Sequence, residues 1–222
     1  MSYMITVAGE AHFRYAAIIC QMMEESSKIR GTGIAKRKPE YIQLKMEEGK
    51  AVIALVQDKV IGFCYIESWE GQKYVANSGL IVHPEYRNIG LAKAIKQKTF
   101  ELSKTKFPNA KLFGITTSLA VMKINSDLGY KPVTFSELTQ DDTFWKGCES
   151  CTNYDILQRT KRTMCLCSGM VCDLSTVPEP LSEQGKKKAW QSFKTFLKER
   201  KLRIQKVSDK FPKLFKILYN EK

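Results

Sequence analysis

The chain is expected to form an α/β (α+β) fold: a mixed, mostly antiparallel central sheet with helices on both faces. Three observations carry that expectation. Short apolar runs at 51–57, 60–68 and 73–82 follow one another across brief polar turns, as in consecutive hairpins. Segments with apolar residues at helical spacing flank them, at 12–25, 39–48, 90–104 and 119–128. Single strand-like runs at 3–8, 111–116 and 130–136 alternate with those helices, which is the pattern of a sheet covered on both sides.

Each element has a local reason. Pro39 suits the first turn of the second helix, and the turn-prone pair Asp58-Lys59 separates the second and third strands. Residues 26–39 are polar and basic, contain Gly31 and Gly33, and are read as a loop. Gly129 is placed to stop the fourth helix. From Trp145 the composition shifts to cysteines and turn residues, with a further strand at 164–174. Pro178 and Pro180 mark a linker at 176–183, followed by a basic helical region to Tyr219, interrupted near Pro212. The expected division is one domain over 1–175, including a Cys-rich segment at 145–175, and a linker with a basic amphipathic tail over 176–222.

The 222 residues are 43% apolar and 27% charged, ordinary for a globular protein and unlike a disordered one. No apolar run approaches the roughly 20 residues of a membrane span. The first ten residues lack a basic stretch followed by an apolar one, so no secretory signal is read and the cytoplasm is the expected compartment. Of the net charge of +13, residues 183–222 carry +9, from thirteen Lys and Arg against four Asp and Glu. The basicity therefore belongs to the tail and says little about the main domain's partners.

The chemistry-bearing stretch is Leu80-Ile81-Val82-His83-Pro84-Glu85-Tyr86-Arg87-Asn88-Ile89-Gly90-Leu91-Ala92. An apolar strand stops at Pro84 and a helix begins near Gly90. A helix start offers unpaired N–H groups and a positive dipole end, which suit a pyrophosphate. Gly90 and Ala92 permit close backbone approach, and Arg87 adds a charge-assisted donor. This run resembles the coenzyme-A-binding motif of the GNAT superfamily of N-acyltransferases, [RQ]-x-x-G-x-[GA]. Asn125-Ser-Asp-Leu-Gly129-Tyr130 is similar to that family's late helix, which ends in Gly-Phe or Gly-Tyr before a strand. The resemblance covers residues 3–136. It implies the GNAT fold, acetyl-CoA or another acyl-CoA as donor, and direct transfer to an amine. It also implies two splayed strands around Leu80–Val82 and 112–116, with a backbone N–H near Leu80 to Val82 polarising the thioester carbonyl.

A narrower resemblance points to an amino-acid acceptor. Gly33-Ile-Ala-Lys-Arg37, Leu112-Phe-Gly-Ile-Thr-Thr117 and Leu157-Gln-Arg159 resemble runs in the acetyltransferase domain of N-acetylglutamate synthases. Their two carboxylate-holding arginines would match Arg37 and Arg159. This implies glutamate as acceptor, at the head of arginine biosynthesis, with the acyl group acetyl or succinyl. The catalytic positions depart from the pattern. Ala76 and Asn77 stand where those synthases place a glutamate base, so Glu67 and Glu70 are the substitutes considered. Asn125 stands where many GNAT enzymes place a tyrosine acid. Thr117, with Ser118, either orients the amine or thiolate or caps a helix. The alternatives are an acetyltransferase for another small amine or a protein amino terminus, and a non-catalytic acyl-CoA-binding module.

Cys148-x-x-Cys151 and Cys165-x-Cys167 form two close pairs joined by a hairpin-length segment. Tetrahedral zinc is one reading; reduced core thiols and redox chemistry are the others. In the tail, Trp190, Phe193, Leu197 and Ile204 recur at helical spacing among Lys and Arg. That stripe would pack on its own domain or on a second copy in a homodimer, with nucleic acid or an anionic membrane surface as the alternative partners.

Overall fold

The computed structural model describes residues 3–30 and 36–176. Among these residues seven strands form one sheet in the order β1-β2-β3-β4-β5-β7-β6. The first four, β1 (Met4–Val7), β2 (Ala51–Val56), β3 (Lys59–Trp69) and β4 (Tyr74–Val82), are antiparallel neighbours. β5 (Lys111–Thr116) joins β4 in parallel, and β7 (Ser168–Asp173) inserts antiparallel between β5 and the short edge strand β6 (Lys131–Val133).

Both faces are covered, which explains why residues 60–66 of β3 are buried without alternation. On one face, α1 (Ala16–Arg30) and α2 (Pro39–Glu47) bring Ile19, Met23, Ile42 and Met46 against Ile53, Leu55, Phe63 and Tyr65. On the other, α3 (Leu91–Lys106) sets Leu91 and Ile95 on Val52, Ala54, Ile61 and Cys64. α4 (Leu119–Asp127) follows β5, with Ser118 Oγ accepting from Val121 N at its start.

Several expectations change. The first helix begins with a 3-10 turn at Glu10–Tyr15 and runs on to Arg30, through part of the expected loop. Ser26 is buried, and the i,i+4 pair Glu24–Lys28 (3.1 Å) supports the added turn. The strand expected at 130–136 shortens to Lys131–Val133, because a 3-10 turn at Phe135–Glu137 follows it. The strand expected at 164–174 pairs only from Ser168. The Cys-rich segment contains two short helices, α5 (Asp142–Lys146) and α6 (Tyr154–Arg159), which the cysteines and turn residues masked. They cover a third apolar cluster in which Trp145 packs with Phe113, Phe135 and Leu157. The loop glycines Gly31 and Gly33, the linker and the basic tail lie outside the described residues. No described helix is long and apolar enough to cross a membrane.

Candidate active site

β4 and β5 pair over only three positions, Tyr74–Lys111, Val75–Leu112 and Ala76–Phe113, and then separate. A bulge falls just beyond: Phe63 pairs Ile81 and Tyr65 pairs Ser78, so Gly79 and Leu80 together oppose Cys64. The bulge bends β4 away from β5, and Gly79 takes φ +63° to do so. The opening is the top of a cleft of about 1340 Å³.

One wall of the cleft carries charge. Arg37 Nε donates to Tyr65 Oη (2.9 Å), and its guanidinium lies over the Tyr41 ring (5.2 Å). Glu67, on β3, is mostly buried and pairs with Lys45 Nζ at 3.3 Å. Burial outweighs Arg37 and pushes the Glu67 carboxyl up to about 7. The opposite wall is aromatic, with Phe113 4.9 Å from Phe144 and Trp69 5.2 Å from Phe144.

At the apex Asn77 Nδ2 donates to Ser103 Oγ (2.7 Å), while Tyr130 Oη donates to Asn77 Oδ1 (3.5 Å). Asn125 is 2% exposed, and its Oδ1 has no hydrogen-bond partner. Lys96 of α3 also lines the cleft, 3% exposed, with Nζ 5.3 Å from the Tyr130 ring centroid.

The sequence-predicted residues divide. Arg37, Glu67, Glu70, Asn77, Leu80, Thr117 and Asn125 line this cleft together. Within it, Glu70 is committed to structure, since its Oε1 accepts from Thr139 Oγ1 (2.6 Å) and Gln140 N (2.9 Å). Ile81 faces the core under α1 and α2. Arg87, Asn88, Ile89, Leu91 and Ala92 lie at the strand-to-helix junction beyond the cleft's lining. There Gly90 caps α3 with φ +81°, and the first helical bond closes from Ala94 N to Gly90 O (3.1 Å). The N–H groups of Leu91, Ala92 and Lys93 therefore have no carbonyl one turn back. Arg87 Nε donates to Val82 O (3.4 Å), which folds the guanidinium back beside β4. Arg159 does not reach Arg37's cleft; it is exposed at the end of α6, 4.0 Å from Asp155.

Burial, then Cys151 and Cys165, pushes the Cys148 thiol up to about 11. Burial, then Cys165, Cys151 and Cys148, pushes Cys167 to about 12. The four thiols thus share a neighbourhood. Even so, among the described residues no group of three or more His, Cys, Asp or Glu side chains is placed to hold a metal ion. The zinc expectation therefore finds no ligand set there, and Cys148, Cys165 and Cys167 pack against the apolar cluster around Trp145.

Sequence reasoning missed Lys96, Tyr65, Tyr41 and the aromatic wall. For Lys96 a signal existed: with Thr99 and Ser103 it forms an i, i+3, i+7 stripe, and both of those residues are buried.

Residues 20–119 match the acetyltransferase (GNAT) family. Over that stretch, somewhat under half of the sequence, the chain is similar to a GNAT acetyltransferase domain. No curated protein matches the chain in sequence. Among solved structures, it resembles N-acetylglutamate synthase from Neisseria gonorrhoeae, complexed with coenzyme A and N-acetyl-glutamate. That likeness has a TM-score of 0.55 and 15% identity over 78% of this chain and 35% of that one, so the chain spans about a third of the synthase. A Mycobacterium tuberculosis protein in complex with CoA and NLQ gives TM-score 0.54 and 13% identity, over 77% of this chain and 98% of that one. A phosphinothricin acetyltransferase from Sinorhizobium meliloti, in complex with AcCoA, gives TM-score 0.53 and 16% identity, over 82% and 95%. At these identities the likeness is one of fold.

Proposed function

We propose that this GNAT domain transfers an acetyl group from acetyl-CoA to the amine of a small amino acid, with glutamate the first acceptor to test. A place at the head of arginine biosynthesis goes with that acceptor. The observation that carries the reading is the separation of β4 and β5 onto one cleft that Arg37 and Glu67 also line.

In this reading the free N–H groups at the start of α3, with Arg87 and Asn88, hold the donor's pyrophosphate. The edges of β4 around Leu80 to Val82 hold its pantetheine arm, with Thr117 at the facing end of β5. A β4 N–H at the bulge polarises the thioester carbonyl. Glu67 accepts the amine proton, directly or through a water, and its raised pKa suits that task near neutral pH. Arg37 grips the acceptor's carboxylate as a bidentate fork. Asn125 Oδ1, buried and unpartnered, accepts a hydrogen bond from the bound substrates. Arg159 has no part, because it stands away from the cleft.

A thiol-release screen with acetyl-CoA and a panel of amines tests this. Release with glutamate or another carboxylate-bearing amine is expected; release with none overturns the reading. Arg37→Ala should raise the KM for the amino acid roughly 10- to 150-fold, the worth of a charge-assisted bond, with kcat little changed. An unchanged KM removes the carboxylate grip.

A further inference from the structure

Asn125 lines the cleft beside the strand split with its buried Oδ1 unpartnered, and an amide has no proton to give a departing thiolate at neutral pH. The buried groups nearest the strand split offer one other candidate. Lys96 lies on α3 six residues after Gly90, about 9 Å further along the axis, and reaches the same cleft as Leu80, Gly114 and Asn125. Its Nζ sits over the Tyr130 ring. Tyr130 N donates to Asn125 O (3.1 Å), and Tyr130 Oη reaches Asn77 Oδ1, so lysine, asparagine and strand split form one contiguous patch.

A lysine this buried is usually paired. Among the described residues no carboxylate lies within ion-pair distance of Lys96, whereas Lys45, also buried, is held by Glu48 and Glu67. The titratable groups facing Lys96 are Cys64 from β3 and Tyr130 ahead of β6, neither of them acidic at neutral pH. An unpaired cation kept at an apex that opens on a cleft has no structural return. It does have a chemical one if anionic charge develops there.

We infer that Lys96 is the general acid of the transfer, donating a proton from Nζ to the sulfur of the departing coenzyme A. This rests on the acyltransfer reading above. The amine nitrogen bonds to the thioester carbonyl carbon, and the C–S bond breaks with its electron pair on sulfur. Sulfur takes the proton of Lys96, the amine's proton goes to Glu67, and exchange with water restores both side chains. Burial, opposed only by Cys64, pulls the Lys96 ammonium down to about 8. A donor in that range is matched to a thiol, for which about 8.5 is typical, and an ordinary lysine is not.

The test compares wild-type protein with Lys96→Met, which removes the charge and nearly keeps the volume. The reactants are acetyl-CoA and the best acceptor of the amine panel. Lys96→Met should lower kcat at least roughly 100-fold and leave the KM for acetyl-CoA within about 3-fold. Wild type should lose activity above pH about 8, and Lys96→Met should lack that fall. A Lys96→Met protein with wild-type kcat and the same alkaline fall overturns the inference and leaves the proposed function standing. Absence of transfer by wild type, in contrast, removes the proposed function and this step with it. Competitive labelling of wild-type lysines with acetic anhydride, read by mass spectrometry, gives an independent answer if the variant does not fold. Lys96 should label with a midpoint near pH 8 and be shielded by coenzyme A; labelling that coenzyme A does not change contradicts the assignment.

Discussion

Replacing Glu67 by Gln should lower kcat by about 10²- to 10⁴-fold, the usual worth of a positioned general base. In wild type kcat/KM should rise through pH about 7, and the substitution should abolish that rise. The carboxyl sits in a mostly buried stretch of β3, and desolvation of its charged form dominates over the nearby guanidinium of Arg37. The sign follows from the role. A base works only when deprotonated, so a raised pKa places full activity above about pH 7, and activity is lost as pH falls through that value. Gln keeps the side chain's shape and a hydrogen-bonding oxygen for Lys45, so the melting temperature should move little. A pH–rate profile of wild type and Glu67→Gln checks this; a variant that retains both rate and acidic limb assigns proton removal to another group.

Trp145→Ala should cost about 3–5 kcal/mol and lower Tm by roughly 6–20 °C. Trp145 is 2% exposed at the centre of the cluster that ties the Cys-rich segment to β5. Its ring meets Phe144 at 4.8 Å and Phe135 at 5.8 Å, and Nε1 donates to Thr139 O at 2.9 Å. Truncation leaves a cavity and also strands the Thr139 carbonyl. Thr139 in turn fixes Glu70 at the cleft edge, so acceptor KM should rise as well. Thermal unfolding followed by circular dichroism measures the effect. A Tm within 2 °C of wild type, about the smallest shift expected from 1 kcal/mol in a chain of this size, would show that the cluster is not part of the cooperative fold.

The fold was largely legible because its cues are local. The β2–β3 hairpin announces itself through Asp58-Lys59, α3 through Gly90, and the end of α4 through Gly129. The extension of α1 was not legible, because burial of Ser26 is a tertiary event that the polar run 26–30 conceals. The same holds for α5 and α6, whose few residues are stabilised by the Trp145 cluster rather than by propensity. Of the strand-to-helix motif, Leu80 lines the cleft, while Arg87 to Ala92 lie beyond its lining. The rest of the cleft depends on partners far apart in sequence. Glu67 is set apart from Glu70, the other base candidate, by burial beside Lys45 and Arg37, which no spacing reveals. Arg159 failed as a partner of Arg37 because α6 turns it to solvent. Lys96 escaped notice because a lysine on a helix reads as solvated unless its i+3 and i+7 neighbours are weighed with it.

The account turns on whether the junction from Arg87 to Ala92 and the split behind it receive an acyl thioester of coenzyme A. Isothermal titration of the full chain with acetyl-CoA measures that directly, with Gly90→Val as the comparison. Gly90 holds φ +81°, a conformation that costs a side-chain-bearing residue about 1–2 kcal/mol. Saturable one-to-one binding is predicted for wild type, with weaker binding in Gly90→Val, whose side chain would stand against the phosphates at the start of α3. No binding by wild type, or equal affinity in the two proteins, would contradict it.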